Sequence, residues 1–269
     1  MNTSQQPSTA NALALLGNAA QDGVLSPEAA KALTVPDMGT QIQAALGVRV
    51  DDVPVSEVVL VSLLIDDSGS IAGAGNEPAV RDGHNLVLDA LTSSKQKEAI
   101  LALCLYLNGK ILYPFTPVSQ AKRMDGRNYR ATGGTPLYDK SAVLLGSVLA
   151  KAQEFADNGV VCRTVTLIVT DGADCGSVSQ TASSVKKVVK DLLRTETHIV
   201  AGMGVDDGGG TDFRAVFHSM GIPNEWILTP GSTASEIRKA FQVFSQSAVR
   251  ASQTAASFSQ TAAGGFAAP

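Results

Sequence analysis

A set of short, almost wholly apolar runs constrains this chain more than any other feature. "VVLVSLLI" (58–65), "AILALCLYL" (99–107), "TVTLIVT" (164–170) and "THIVAGMGV" (197–205) recur along the sequence. Runs of this length without polar alternation read as strands covered on both faces. Stretches with helical periodicity separate them, around residues 77–92, 137–156, 183–194 and 212–221, and a last helix follows in "TASEIRKAFQVFSQS". Buried strands alternating with helices predict an α/β fold: a Rossmann-like three-layer sandwich with a mainly parallel central sheet flanked by helices. "KILYPF" follows "AILALCLYL" across Asn108-Gly109, a hairpin signal that makes one edge strand antiparallel. "EWILT" adds a short strand.

The ends differ from this pattern. "NALALLGNAA" reads as a short helix ending near Gly23. "SPEAAKAL" starts a second, with Ser26 as N-cap and Pro27 at the first helical position. Asp37 is expected to cap a third. Residues 1–56 are therefore read as an N-terminal helical extension and linker, 57–247 as the α/β domain, and 248–269 as a Ser/Gln/Ala-rich C-terminal extension. In that tail Ile237, Phe241, Phe244, Ala248, Ala251, Ala255, Phe258 and Ala262 fall alternately four and three residues apart. This is the seam of a coiled-coil-like helix continuing to near Ala263, and it offers Phe244 and Phe258 as contacts for a partner helix.

In open α/β sheets ligands bind beyond the carboxyl ends of the strands. Here the first strand runs straight into Asp66, Ser68 and Ser70. "LIVTDGAD" ends another buried strand in Asp171, and "ATGGTPLYD" places Thr135 just ahead of a long helix. If the two strands are neighbours, Asp66 and Asp171 converge, and close carboxylates repel unless a cation or a proton separates them. An all-oxygen set of Asp, Ser and Thr selects a hard cation, Mg²⁺, Mn²⁺ or Ca²⁺, over zinc. Small hydroxyl ligands leave coordination positions open for an outside oxygen. Asp67 is read as a solvated neighbour and Asp139 as a helix-dipole partner. Asp174 is a reserve ligand, and Asp206, Asp207 and Asp212 are read as a rim loop. His84, His198 and His218 show no ligand spacing.

Asp-x-Ser-x-Ser at 66–70, Thr135 after a Gly-Gly pair and Asp171 in "TDG" together resemble the metal-ion-dependent adhesion site of von Willebrand factor type A (VWA) domains. The resemblance covers roughly residues 57–247. It implies that Ser68, Ser70 and Thr135 ligate the metal directly, that Asp66 and Asp171 act directly or through water, and that a partner's Asp or Glu completes the shell. "GGTPLYD" and the Ser/Gln-rich ending look more like bacterial intracellular members, including those encoded with tellurium-resistance proteins.

Bulk properties narrow the remaining classes. A net charge of -4 gives no case for nucleic-acid binding. No window approaches the roughly 18 apolar residues of a membrane span. The N-terminus lacks the basic region and cleavage site of a signal peptide. Three widely spaced cysteines fit a reducing, cytoplasmic compartment. Lys122, Arg123, Arg127 and Arg130 precede Thr135 and can steer an acidic partner, with Arg127 and Arg130 as candidate contacts. The expected function is a non-enzymatic, metal-dependent protein-interaction module. The alternatives are a metal-dependent hydrolase or phosphotransferase, and an adaptor subunit of an ATPase remodelling machine. "LLIDDSGS" resembles a haloacid-dehalogenase nucleophile motif, which requires Asp at position 68, where this chain has Ser.

Overall fold

The computed structural model describes residues 11–253 and 259–266. Three helices open it: α1 (Ala12–Gln21), α2 (Pro27–Leu33) and α3 (Met38–Ala45). Then come β1 (Glu57–Ile65), the short α4 (Gly69–Gly73), α5 (Glu77–Thr92), and the hairpin β2 (Ile100–Tyr106) and β3 (Ile111–Pro117). After these lie α6 (Leu137–Asp157), β4 (Val161–Thr170), α7 (Ala182–Arg194), β5 (His198–Gly204) and α8 (Phe213–Ser219). The two-residue β6 (Ile227–Leu228), α9 (Ala234–Gln253) and α10 (Gln260–Ala263) complete the order.

The six strands form one sheet in the order β3-β2-β1-β4-β5-β6. All neighbours are parallel except β3, the antiparallel edge. Every residue of β2 and β5 is buried, and so is all of β1 beyond its first residue, as unbroken apolar runs require of strands covered on both faces. α5 and α9 cover one face, and α6 and α7 the other. α5 and α9 approach closely because position 83 is glycine: a Cβ there would lie 2.0 Å from the Phe241 ring.

The N-terminal helical extension packs into the main core. Leu16, Leu33 and Ile42 belong to the same core as the sheet, and α1 and α3 pack on α6. Ser26 caps α2 through the Ala29 N–H (3.3 Å), while its own N–H and hydroxyl donate to Asp191 of α7 at 2.7 and 2.6 Å. The Lys151 ammonium of α6, fully buried, donates to the Val48 carbonyl and to Glu154 at 2.8 Å. Asp37 does stand at the N-cap of α3, but in a left-handed conformation (φ 66°) with no side-chain cap bond.

Two expectations for the C-terminus need correction. The final helix does not continue to Ala263: α9 ends at Gln253, Ser259 is non-helical and α10 is a separate turn. Phe244 is not presented to a partner. With Ile237, Phe241, Ala248 and Ala251 it is buried in the core, so the four-three seam is satisfied within the chain. Ala255 and Phe258 lie outside the described residues, and no described helix is long and apolar enough to cross a membrane.

Candidate metal centre

The strand order makes β1 and β4 neighbours at the point where the sheet reverses direction, with Ile65 paired to Val169. Asp66 and Asp171 therefore leave adjacent parallel strands at the same end, the position open α/β sheets use for ligands. Both are buried. Asp66 is held rigidly: one carboxylate oxygen accepts the Ser68 N–H (2.8 Å), and the other accepts the Thr170 hydroxyl (2.8 Å) and the Asp171 N–H (3.3 Å). From below, the buried Tyr129 hydroxyl donates to the Asp66 carbonyl at 2.6 Å.

Ser68 and Ser70 close on the same point. Ser70 Oγ donates to Asp171 Oδ1 at 2.8 Å, Ser68 Oγ lies 3.2 Å from that oxygen, and the two hydroxyls are 3.0 Å apart. Ser68 occupies the N-cap position of α4, yet its hydroxyl makes no capping bond. The serine turns instead to the carboxylate of the neighbouring strand, which a simple capping role does not explain. Ser70 is exposed while Ser68, Asp66 and Asp171 are buried, so the cluster opens to solvent on the Ser70 side.

Thr135 is brought in by the backbone. Gly133 forms an isolated parallel bridge with Ser68: its N–H donates to the Asp67 carbonyl (2.9 Å), and its carbonyl accepts the Gly69 N–H (3.0 Å). On the other side the Cys175 N–H donates to the Thr135 carbonyl at 3.0 Å. The buried Thr135 thus sits between the loops that carry Asp66–Ser70 and Asp171.

The donor set is all oxygen, and Asp171 Oδ2 is buried without a hydrogen-bond partner among the described residues. Burial raises the Asp171 pKa, and the Asp66 carboxylate adds to the rise. Two desolvated carboxylates on adjacent strands, one with an unsatisfied oxygen, fit a hard divalent cation: its charge would offset both causes of the shift. No group of three or more His, Cys, Asp and Glu is arranged to hold a metal among the described residues, which leaves the mixed carboxylate–hydroxyl cluster as the candidate.

Of the remaining candidate residues, Asp67 departs most from expectation. Asp67 is not solvated. It is 1 % exposed and accepts the Asn108 N–H at 3.0 Å, joining the metal loop to the β2–β3 turn. Burial first, and Asp66 next to it, push its pKa up to about 6. Asp174 accepts the Tyr138 N–H and the Ser177 hydroxyl, and Asp139 accepts the N–H groups of Val178, Ser179 and Gln180. Both anchor the loop after β4, so Asp139 does more than face a helix dipole. Asp206 and Asp207 accept N–H groups within their own loop, and Asp212 caps α8. Arg123 pairs with Asp89, whereas Arg127 and Arg130 are exposed and have no ion pair among the described residues. Cys104 is buried and Cys175 exposed. Thr170 and Tyr129 escaped the sequence reading. Thr170 sits in the "TDG" motif and was legible in principle, whereas nothing local marks Tyr129.

No family model matches this sequence, and no curated protein matches it. Solved structures do. The pilus adhesin SpaC from Lactobacillus rhamnosus GG, in its open conformation, is 16% identical over 73% of this chain, with a TM-score of 0.52. The match spans 30% of the adhesin's own length. A von Willebrand factor type A protein from Catenulispora acidiphila aligns at 17% identity over 72% of this chain and 43% of its own (TM-score 0.46). Manganese-loaded TRAP protein from Plasmodium vivax aligns at 18% over 69% of this chain and 74% of its own (TM-score 0.43). At 16% identity and a TM-score of 0.52 the likeness to the adhesin is one of fold alone.

Proposed function

We propose that this chain is a non-enzymatic, metal-dependent protein-interaction module of the VWA type. Asp66, Ser68, Ser70, Thr135 and Asp171 would hold a divalent cation, Mg²⁺ with Mn²⁺ or Ca²⁺ as alternatives, to which a partner's Asp or Glu side chain docks. The observation that carries this reading is the convergence of Ser68 and Ser70 on Asp171, beside Asp66, with Asp171 Oδ2 left unsatisfied.

A bound cation would supply the positive charge that the buried Asp66 and Asp171 carboxylates lack beside them and an electrophilic point for an outside carboxylate. The chain's own residues do the rest. Thr170 and the Ser68 and Asp171 N–H groups fix the Asp66 carboxylate, so it needs no reorganisation when the site fills. The small side chains of Ser68, Ser70 and Thr135 leave room for the partner's oxygen. Arg127 and Arg130, on the loop leading to Thr135, draw an acidic surface toward this face. In keeping with the resemblance to bacterial intracellular members, including tellurium-resistance-associated ones, we place the module in the cytoplasm, in a multiprotein stress-response assembly.

Metal binding can be tested without knowing the partner. A ligand that binds only the folded state at 100 times its Kd adds about 2.7 kcal/mol of stability. Titration with Mg²⁺ or Mn²⁺ should therefore raise Tm by several degrees in the wild type and not in Asp171→Asn or Asp66→Ala. Equal shifts in all three chains would remove this site. For partners, pull-down with Mg²⁺ and with EDTA should differ, and binding that survives chelation would refute the metal bridge. Substituting Arg127 and Arg130 should slow association and flatten its salt dependence.

A further inference from the structure

At the opposite end of the sheet from the metal centre, the last described residues of the chain dock into a built receptor. Glu196 precedes β5, and Glu225–Trp226 precede β6, so both sit at the amino ends of parallel strands whose carboxyl ends face Asp171's side. The Glu196 carboxylate accepts three bonds from the C-terminal segment: the Ser259 hydroxyl (2.8 Å), the Thr261 N–H (2.9 Å) and the Thr261 hydroxyl (2.8 Å). Its carbonyl accepts the Gln260 N–H at 2.9 Å. Further along, the Phe266 N–H donates to the Glu225 carbonyl at 3.0 Å, and the Phe266 ring stands edge-on to Trp226 at 5.1 Å between centroids.

Two backbone features accompany this contact. Glu196 is a non-glycine residue at φ 61°, a left-handed conformation that glycine adopts without steric cost. Glu196 directly follows the C-cap of α7, its N–H donating to the Leu193 carbonyl at 3.2 Å, a position where left-handed residues end helices, and its carboxylate then makes three of the four bonds to residues 259–261. Gly265 lies at φ 89°, and a Cβ on it would fall 2.5 Å from the Glu225 Cβ and 2.7 Å from the Glu225 carbonyl. The sequence gives a register control as well. "SQTAA" occurs twice, at 252–256 and 259–263, and only the second copy is followed by Gly-Gly-Phe.

We propose that Glu196, Glu225 and Trp226 form a peptide-docking site for the Ser-Gln-Thr-x-x-Gly-Gly-Phe segment 259–266, held in cis here and able to take the same segment from a second copy of the chain. The bonds described above run between residues 259–266 and Glu196 or Glu225, so a neighbour's segment can make the same ones. Five residues separate Gln253 from Ser259, and so short a tether gives the cis segment a high effective concentration; exchange sets in only at high protein concentration or when the cis segment is impaired. Because the dock and the metal centre occupy opposite ends of the sheet, copies linked this way keep their metal faces free.

The test uses full-length chains. Gly265→Ala/Phe266→Ala disables the segment and leaves the dock, while Glu196→Gly disables the dock and relieves its left-handed backbone. Trp226 is the only tryptophan, so its emission reports on the Phe266 contact directly. Emission should change in the double variant, which should also bind a fluorescein-labelled 259–266 peptide saturably, whereas the wild type at equal concentration binds it at least about ten-fold more weakly. A mixture of the two variants should give a 1:1 complex that neither forms with itself. Glu196→Gly carrying the Gly265→Ala/Phe266→Ala changes should lose the peptide at unchanged or higher Tm. Unaltered Trp226 emission in the segment variant, or peptide binding indifferent to Glu196, would overturn the proposal.

Discussion

Asp67 illustrates how much a single buried carboxylate can carry. Its side chain accepts the Asn108 N–H, and it lies next to Asp66 with its pKa raised to about 6, burial being the larger cause. A raised carboxylate pKa means that the ionised form is disfavoured in the fold, so the metal-free protein is penalised at pH values above that range and relieved below it. Asp67→Asn keeps the acceptor and removes the charge. It should stabilise the metal-free protein at pH 7.5 by about 1 kcal/mol or more. Asp67→Ala orphans the Asn108 N–H and should cost roughly 1–3 kcal/mol relative to Asp67→Asn. Urea denaturation of the three chains in EDTA decides this; equal stabilities would mean that the Asn108 bond contributes nothing.

At the scale of elements, the α5–α9 pair shows why the heptad-like seam points inward. Ile237, Phe241 and Phe244 are fully buried, and Gly83 leaves just the room that the Phe241 ring fills. Phe244→Ala should cost about 3–5 kcal/mol, the range for truncating a buried phenylalanine. Gly83→Ala overpacks the crossing and should cost about 1–3 kcal/mol despite its better helix propensity. Denaturant midpoints measure both, and a neutral Gly83→Ala would show that the helices separate freely. Both effects belong to folding rather than to binding, so these variants should lose stability without any selective loss of metal affinity.

The whole molecule carries a pH signature from its buried histidines. Burial lowers the pKa of His198, which is bonded to the Thr164 hydroxyl at 2.6 Å, and of His84, which is bonded to the Tyr113 hydroxyl at 2.9 Å, each to about 4. Between pH 4 and the ordinary histidine value of about 6.5 the unfolded chain binds the proton that the folded chain refuses. Stability contributed by neutral burial is therefore full above about 6.5 and lost as pH falls toward 4. His198→Gln should flatten the fall of Tm over that window relative to the wild type, with little change in slope above pH 7. Parallel curves for the two chains would place the acid sensitivity elsewhere.

Much of this architecture was legible without coordinates. Unbroken apolar runs can be satisfied only by strands covered on both faces, and their alternation with helices leaves few topologies. Because the end of each run is visible in the sequence, Asp66, Ser68, Ser70 and Asp171 could be placed at strand ends and Thr135 ahead of its helix. Three things were decided only by tertiary structure. Asp67 is buried because the β2–β3 turn folds over it, a contact 41 residues distant along the chain. The N-terminal segment joins the main core because α6 and α7 present apolar faces to it, with Lys151 bonded to the Val48 carbonyl after α3 and Asp191 bonded to Ser26 at the start of α2. The seam of α9 is spent on α5, because a periodic apolar stripe specifies that a helix buries one face but not which surface covers it. Local pattern determines which groups must leave water. What they meet there is set by long-range packing, which no short window of sequence contains.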